Sequence, residues 1–157
     1  MNDTNETYED LNQERKQLLR TICDPFDFET MNAKDAEKEL IEICQYQNGL
    51  GLAANQVGIN SRYFVMVNDF GKVFGVFNPE ILEYSEKKVV RLEGCLSFPG
   101  VYLNKQRSSC IHAKFFTSDN NEVEVLLTNM LAGIFQHEYE HLNGITFIDG
   151  VSRLQLE

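Results

Sequence analysis

The order of the hydrophobic patterns along the chain is the feature that most restricts its fold. From residue 62 to residue 127, apolar residues alternate with polar ones or form short β-branched and aromatic runs, which predicts strands. Segments 32–47 and 128–142 flank this region, with apolar residues three and four apart, and both predict helices. An Asn-Gly pair follows each of them, as is typical of a helix end. Strands in the middle with helices on either side predict an α+β fold.

Three single strands and one two-stranded hairpin are predicted, and a possible short helix precedes them. The strand segments are 62–68, 72–81, 87–97, and a hairpin made of 109–116 and 121–127. Residues 8–20 predict an amphipathic turn or short helix, which Pro25 separates from the rest. Residues 1–7 are polar and aperiodic, which predicts disorder. The 157 residues are enough for a single catalytic domain and too few for two.

Charge and composition exclude several classes of protein. The formal net charge of −10 disfavours a long electrostatic contact with nucleic acid. No apolar run approaches the roughly 18 residues that a membrane span needs. The acidic, polar start fits neither a secretory signal nor an Arg-rich transit peptide. The four cysteines form no CxxC pair, so we expect free thiols in a reducing, cytoplasmic compartment.

The segment "FQHEYEHLNG" carries the strongest chemical signal. His137 and His141 are four residues apart, so on a helix both imidazoles lie on one face and can reach one metal ion. Glu138 is rotated by roughly 100° from His137, a position from which a carboxylate can take a proton from water without binding the ion. The alternative is an ordinary solvated helix face, because HExxH fixes only three positions.

A metal site that activates water needs a third protein ligand. Asp149 and Glu157 are the only carboxylates after the histidine pair, and no histidine follows it, so the ligand is expected from upstream. The candidates are Cys95 and His112. Cys95 is favoured because it follows an apolar strand and Gly94, where the chain can turn, and because a thiolate is a strong ligand for iron or zinc.

Three motifs together resemble those of the peptide deformylases. They are "GLGLAANQ" (Gly49–Gln56), "EGCLS" (Glu93–Ser97) and "HEYEH" (His137–His141), in that family's order and at similar separations. The resemblance covers about Leu19 to Val151. It implies an α+β fold in which mixed or antiparallel strands pack around a central metal-binding helix.

The resemblance also implies an activity, the hydrolytic removal of the formyl group from formyl-methionyl nascent proteins with release of formate. Metal-bound hydroxide would attack the formyl carbon, with Glu138 as general base. The amide of Gln56 and the backbone N–H of Leu96 would donate to the oxyanion. The implied metal ligands are Cys95, His137 and His141. The implied cofactor is one divalent ion, Fe²⁺ first, with Zn²⁺, Ni²⁺ or Co²⁺ as substitutes.

An apolar pocket is expected to hold the methionine side chain. The residues expected to bind substrate are Gly49, Leu50, Gly51, Met130, Gly133 and Ile134. Glycine inside a helix costs about 1 kcal/mol relative to alanine, so Gly133 is interpreted as making room, either for the substrate or for another packed element. Glu93 and Arg107 are expected to form a buried supporting pair, with a surface ion pair as the alternative.

The chain departs from the family pattern in two places. Glu140 stands where the third motif usually has Asp, which changes the reach of that carboxylate. The sequence ends at "GVSRLQLE" without the long C-terminal helix that some members use to dock on the ribosome, so only transient ribosome contact is expected. Hydroxamates such as actinonin are expected to inhibit, and the expected location is the cytoplasm of a bacterium or of a bacterial host of a virus.

Two other functions stay open at the level of the sequence. A zinc peptidase could use the same HExxH helix, but the chain lacks a ligand after that helix. A non-catalytic binding module stabilised by metal would have a closed site with four ligands, and would need neither Glu138 nor Gln56.

Overall fold

Seven strands and three α-helices make up residues 7–149, the part of the chain that the computed structural model describes. The helices are α1 (Gln13–Leu19), α2 (Ala33–Tyr46) and α3 (Asn129–Leu142). The strands are β1 (Gly51–Ala53), β2 (Tyr63–Val67), β3 (Val73–Tyr84), β4 (Lys88–Cys95), β5 (Phe98–Ser108), β6 (Cys110–Phe116) and β7 (Glu122–Thr128). Short 3₁₀ turns occupy Tyr8–Asp10 and Ala54–Val57. Residues 1–6, which fall in the segment predicted to be disordered, lie outside the described residues.

The strands form two antiparallel sheets. The larger sheet has the order β1-β2-β3-β6-β7, so the three-residue strand β1 lies at one edge. The smaller sheet pairs β4 with β5, and its register shifts between Gly94 and Cys95. The predicted hairpin is confirmed as β6 and β7.

Helix α3 packs against both sheets and connects them through the core. It contacts β1, β2 and β7 of the larger sheet and β5 of the smaller one. Phe135 of α3 is fully buried, and its ring meets that of Phe64 edge-to-face at 5.2 Å between centroids. The expectation of strands packed around a central helix is confirmed.

The ends of the two long helices follow from local chemistry. The side chain of Asn32 accepts a hydrogen bond from the backbone N–H of Asp35 and caps α2. Thr128, the first residue of the predicted helical segment, immediately precedes α3, and its side chain makes no capping hydrogen bond. After α3, Gly144 adopts a φ of 77°, the left-handed conformation that commonly ends a helix.

The sequence patterns did not predict β5.

None of the helices within residues 7–149 is long and apolar enough to cross a membrane.

Candidate metal centre and catalytic cleft

The histidine pair lies on the buried face of α3. His137 and His141 are only 9% and 2% exposed, and their ring centroids are 5.1 Å apart. Both rings face one point because the residues are one helical turn apart. The alternative of a solvated helix face is therefore wrong.

Cys95, at the end of β4, joins this pair. Its Sγ lies 3.4 Å from Nε2 of His141, and one ligand atom from each of the three residues falls within 4.8 Å of the others. One thiolate and two imidazoles form a donor set that suits iron or zinc, and three protein ligands leave a position open. The three side chains thus fit a catalytic divalent metal.

The other candidate ligand is remote from this cluster. His112 lies on β6, and its Nε2 is 3.4 Å from a carboxylate oxygen of Glu124 on β7. Ile111 and Ala113, which flank it, are buried, so His112 projects from the opposite face of the sheet.

A buried carboxylate orients the first histidine. Oε1 of Glu93 accepts a hydrogen bond from Nδ1 of His137 at 3.0 Å, which leaves Nε2 of His137 to face the cluster. Arg107 donates to both oxygens of Glu93, at 2.9 and 2.8 Å. Burial disfavours the charged form of Glu93, but the hydrogen bonds from Arg107 and His137 outweigh it and lower its pKa to about 2. The expected Glu93–Arg107 pair is buried, not a surface ion pair.

Glu140 reaches the same arginine. Its Oε1 accepts a hydrogen bond from Nη1 of Arg107 at 2.6 Å. The guanidinium therefore connects two carboxylates, one on β4 and one on α3, and the longer side chain of Glu140 does not break the connection.

Glu138 lies beside the cluster in an enclosed position. It is 4% exposed, and its Oε1 has no hydrogen-bond partner among the described residues. Burial raises the pKa of this carboxyl to about 7. Gly51 of β1 packs against it so closely that a Cβ there would lie 2.8 Å from Oε2 of Glu138. The small residue leaves the space that the carboxylate occupies.

Gln56 is held with its amide group toward the cluster. Its Oε1 accepts from the backbone N–H of Ala53 at 2.9 Å, and its Nε2 donates to Oγ of Ser97 at 3.0 Å and approaches Sγ of Cys95 at 3.6 Å. Nearby, Asn55 donates to the carbonyl of His141 at 2.6 Å and so connects this loop to α3.

We assigned no role to Ser97 or Asn55 from the sequence, although both lie inside the motifs. Their position in the motifs could have indicated a role, since Asn55 precedes Gln56 and Ser97 follows Leu96.

A cleft of about 540 Å³ opens beside these groups. Predicted site residues that line it are Gly49, Leu50, Gly51, Gln56, Cys95, Leu96, Ile134, His137 and Glu138. His141 is buried behind them. Met130 and Gly133 are not among the lining residues, and the side chain of Arg91 lies across Gly133. We did not consider Arg91 from the sequence.

The remaining cysteines are free thiols away from the cluster. Cys23 and Cys44 are buried in the core, and burial raises their pKa values to about 11 and about 12. Both are packing residues of the core.

Comparison with known sequences gives one family. A family profile described as "Polypeptide deformylase" matches residues 9–157. A peptide deformylase from Thermotoga maritima is 42% identical over 135 residues, which cover 86% of this chain and 82% of that protein.

Solved structures agree. The crystal structure of the peptide deformylase from Thermotoga maritima superposes with a TM-score of 0.83 at 37% identity, covering 94% of this chain and 95% of that one. A peptide deformylase from Synechococcus elongatus, solved in complex with actinonin, also gives a TM-score of 0.83, at 29% identity, covering 89% of this chain and 79% of that one.

Proposed function

Since this chain belongs to the polypeptide deformylase family and is a hydrolase that removes the N-terminal formyl group, we propose that the cleft beside α3 is its active site. The observation that carries the proposal is the meeting of Cys95, His137 and His141 within 4.8 Å, next to a buried glutamate. The family membership favours neither a zinc peptidase nor a structural metal module.

Cys95, His137 and His141 would hold the divalent ion that the family requires. Such an ion is a Lewis acid that makes water nucleophilic near neutral pH. Ferrous iron is our assignment, and a site with one thiolate and two imidazoles also accepts Zn²⁺, Ni²⁺ or Co²⁺. Glu93 supports the site by fixing the tautomer of His137 through the hydrogen bond to Nδ1.

Glu138 is the general base. It takes a proton from the water that attacks the formyl carbon and passes it to the departing amine, so that formate and a free amino terminus result. Its burial and its pKa of about 7 support this role, because a carboxyl with such a pKa exchanges protons readily at neutral pH.

Gln56 and Leu96 stabilise the oxyanion that forms at the formyl oxygen. The bond from the N–H of Ala53 fixes which end of the Gln56 amide faces the cleft, and the backbone N–H of Leu96 follows Cys95 directly. Loss of one such donor typically lowers kcat by roughly 10²–10³.

The peptide binds as an added strand at the edge of the larger sheet. β1 begins at Gly51 and lies at the edge of that sheet, and Gly49 to Gly51 line the cleft, so an extended peptide can pair with this backbone. Leu50 and Ile134 then contact the first side chain of the substrate.

Formate release from a formyl-Met-Ala-Ser peptide tests the proposal. Protein purified without oxygen and loaded with Fe²⁺ should release formate. In Glu138→Ala the rate of release should fall by a factor of about 10²–10⁴, while the variant still binds the ion. Glu124→Gln, an exposed carboxylate on β7, serves as the control and should keep the full rate. Normal activity of Glu138→Ala would contradict the assignment of the base.

Hydroxamates are the expected inhibitors. The relative from Synechococcus elongatus was solved with actinonin, and the Cys95, His137 and His141 cluster beside the cleft of this chain supports binding of that compound here. Actinonin binding measured by calorimetry, present in the metal-loaded protein and lost when the metal is removed, would agree with chelation at this site.

We assign the whole chain to one catalytic domain that works in the cytoplasm of a bacterium or of a bacterial host of a virus. The bacterial sources of the relatives support this location. Transient contact with the ribosome belongs to this proposal. Residues 150–157 lie outside the described residues.

A further inference from the structure

Arg91 reaches from β4 onto the face of α3 that leads to the metal centre. It is two residues before Glu93, so both side chains project from the same face of the strand. Glu93 meets His137, and Arg91 meets the helix one turn earlier, at Gly133. A Cβ on Gly133 would lie 2.7 Å from Cδ of Arg91. Arg91 thus occupies the space that a side chain at position 133 would fill.

The guanidinium of Arg91 is fixed but only partly satisfied. Its Nη1 donates to the carbonyl of Met130 at 2.9 Å. Its Nε is buried with no hydrogen bond among the described residues and lies 3.5 Å from the carboxylate of Glu93. A guanidinium has five N–H donors, so donors remain for a ligand.

This side chain is part of the cleft wall. Arg91 lines the cleft together with Ile134 and His137, and 21% of its side chain is exposed. Its methylenes offer apolar surface to a methionine side chain, while its guanidinium brings positive charge into the same wall. A wall made only of aliphatic residues would lack that charge.

We propose that Arg91 determines specificity at the first substrate residue, by accepting side chains that end in a hydrogen-bond acceptor oxygen, such as methionine sulfoxide, alongside methionine itself. This inference rests on the proposed function of the cleft. A thioether sulfur is a weak acceptor, whereas a sulfoxide oxygen is a strong one that can pair with the free donors of Arg91. Because 21% of the Arg91 side chain stays exposed, water can satisfy its free donors when methionine is bound, so methionine is still accepted.

The test compares two substrates that differ by one oxygen. The measured quantity is the ratio of kcat/KM for formyl-Met(sulfoxide)-Ala-Ser to kcat/KM for formyl-Met-Ala-Ser. Arg91→Leu keeps apolar surface and removes the donors, so the ratio should fall by about tenfold or more, the effect of one hydrogen bond to a charged group. The matched control is Lys105→Leu. Lys105 pairs with Arg91 across β4 and β5 but does not line the cleft, so its loss should leave the ratio unchanged.

Gly133→Ala gives an independent second variant. The added methyl would force the Arg91 side chain off the helix while leaving its charge in the protein, so the ratio should fall as in Arg91→Leu. An unchanged ratio in both variants, in enzyme that deformylates formyl-Met-Ala-Ser, would overturn the role of Arg91 and leave the proposed function intact. Absence of formate from both substrates with the unsubstituted protein would contradict the proposed function, and this inference with it.

Discussion

Arg107 shows how one side chain can absorb a change in a catalytic motif. Its guanidinium donates twice to Glu93 and once to Glu140. Because an arginine presents several donors in a planar fork, a second carboxylate can bind without displacing the first. Glu140 therefore keeps the contact to the arginine that supports Glu93, and through it His137. The expected change in reach at this position leaves that chain of contacts whole.

The stability of the protein should fall in acid because of Glu93. Its pKa of about 2 is below the ordinary 4.5, so its ionised form adds stability above pH 4.5, and that stability is lost as the pH falls toward 2. The shift corresponds to about 3 kcal/mol at neutral pH. In urea unfolding of metal-free protein at pH 7, Glu93→Gln should have a lower free energy of unfolding than the unsubstituted chain. This difference between the two proteins should be smaller at pH 3 by more than about 1 kcal/mol. The exposed control Glu124→Gln should change the free energy of unfolding at pH 7 by less than about 0.5 kcal/mol.

Gly51 should matter for catalysis more than for folding. An added methyl would lie 2.8 Å from Oε2 of Glu138, so Gly51→Ala must displace the carboxylate. We expect formate release to fall by about tenfold or more, since correctly placed general bases contribute roughly 10²–10⁴. Gly71→Ala offers the contrast. Gly71 has a φ of 77° and no atom within 4 Å of its added methyl, so that variant should lose stability and keep its turnover. Full activity of Gly51→Ala would show that Glu138 tolerates the crowding.

At the scale of the elements, periodicity predicted what local pattern can determine. The helix predicted at 32–47 is α2, and strands β2, β3, β4, β6 and β7 fall where alternation placed them. Strand β5 was missed because Pro99 and Gly100 interrupt its start and residues 104–108 are all polar, which leaves only a three-residue apolar run, and it forms through its pairing with β4. The ligand set was predicted through the motifs. The contact of Arg91 with Gly133 was not, because it depends on how β4 packs on α3.

The packing of α3 should dominate stability. Phe135 is fully buried against Phe64 and Phe115, so Phe135→Ala should lower the free energy of unfolding by about 3–5 kcal/mol. Leu126, on β7, is 73% exposed, and Leu126→Ala should change the free energy of unfolding by less than about 0.5 kcal/mol. Urea titration followed by circular dichroism measures both. Similar costs for the two variants would contradict the assignment of α3 to the core.

On the scale of the whole molecule, the proposed metal centre joins the two sheets. Cys95 comes from the smaller sheet, and the histidines come from the helix that packs on the larger one. An ion that binds only the folded chain stabilises it. Removing the ion with a chelator should therefore lower Tm by roughly 5–10 °C when the ion had been present at about 100 times its Kd. Cys95→Ser should abolish most of this shift, whereas Cys110→Ser, at a half-buried thiol outside the cluster, should retain it.

Strand β1 is only three residues long, and this shortness has a consequence for the whole set of proteins that a cell makes. Main-chain pairing along three residues can extend over only about 10 Å. An enzyme that contacts so short a stretch of backbone makes no contact with most of each chain it processes. The sequence beyond those few residues therefore does not affect its affinity for the chain. One gene product can then serve an entire proteome, and selection on individual proteins need not preserve a recognition sequence for it.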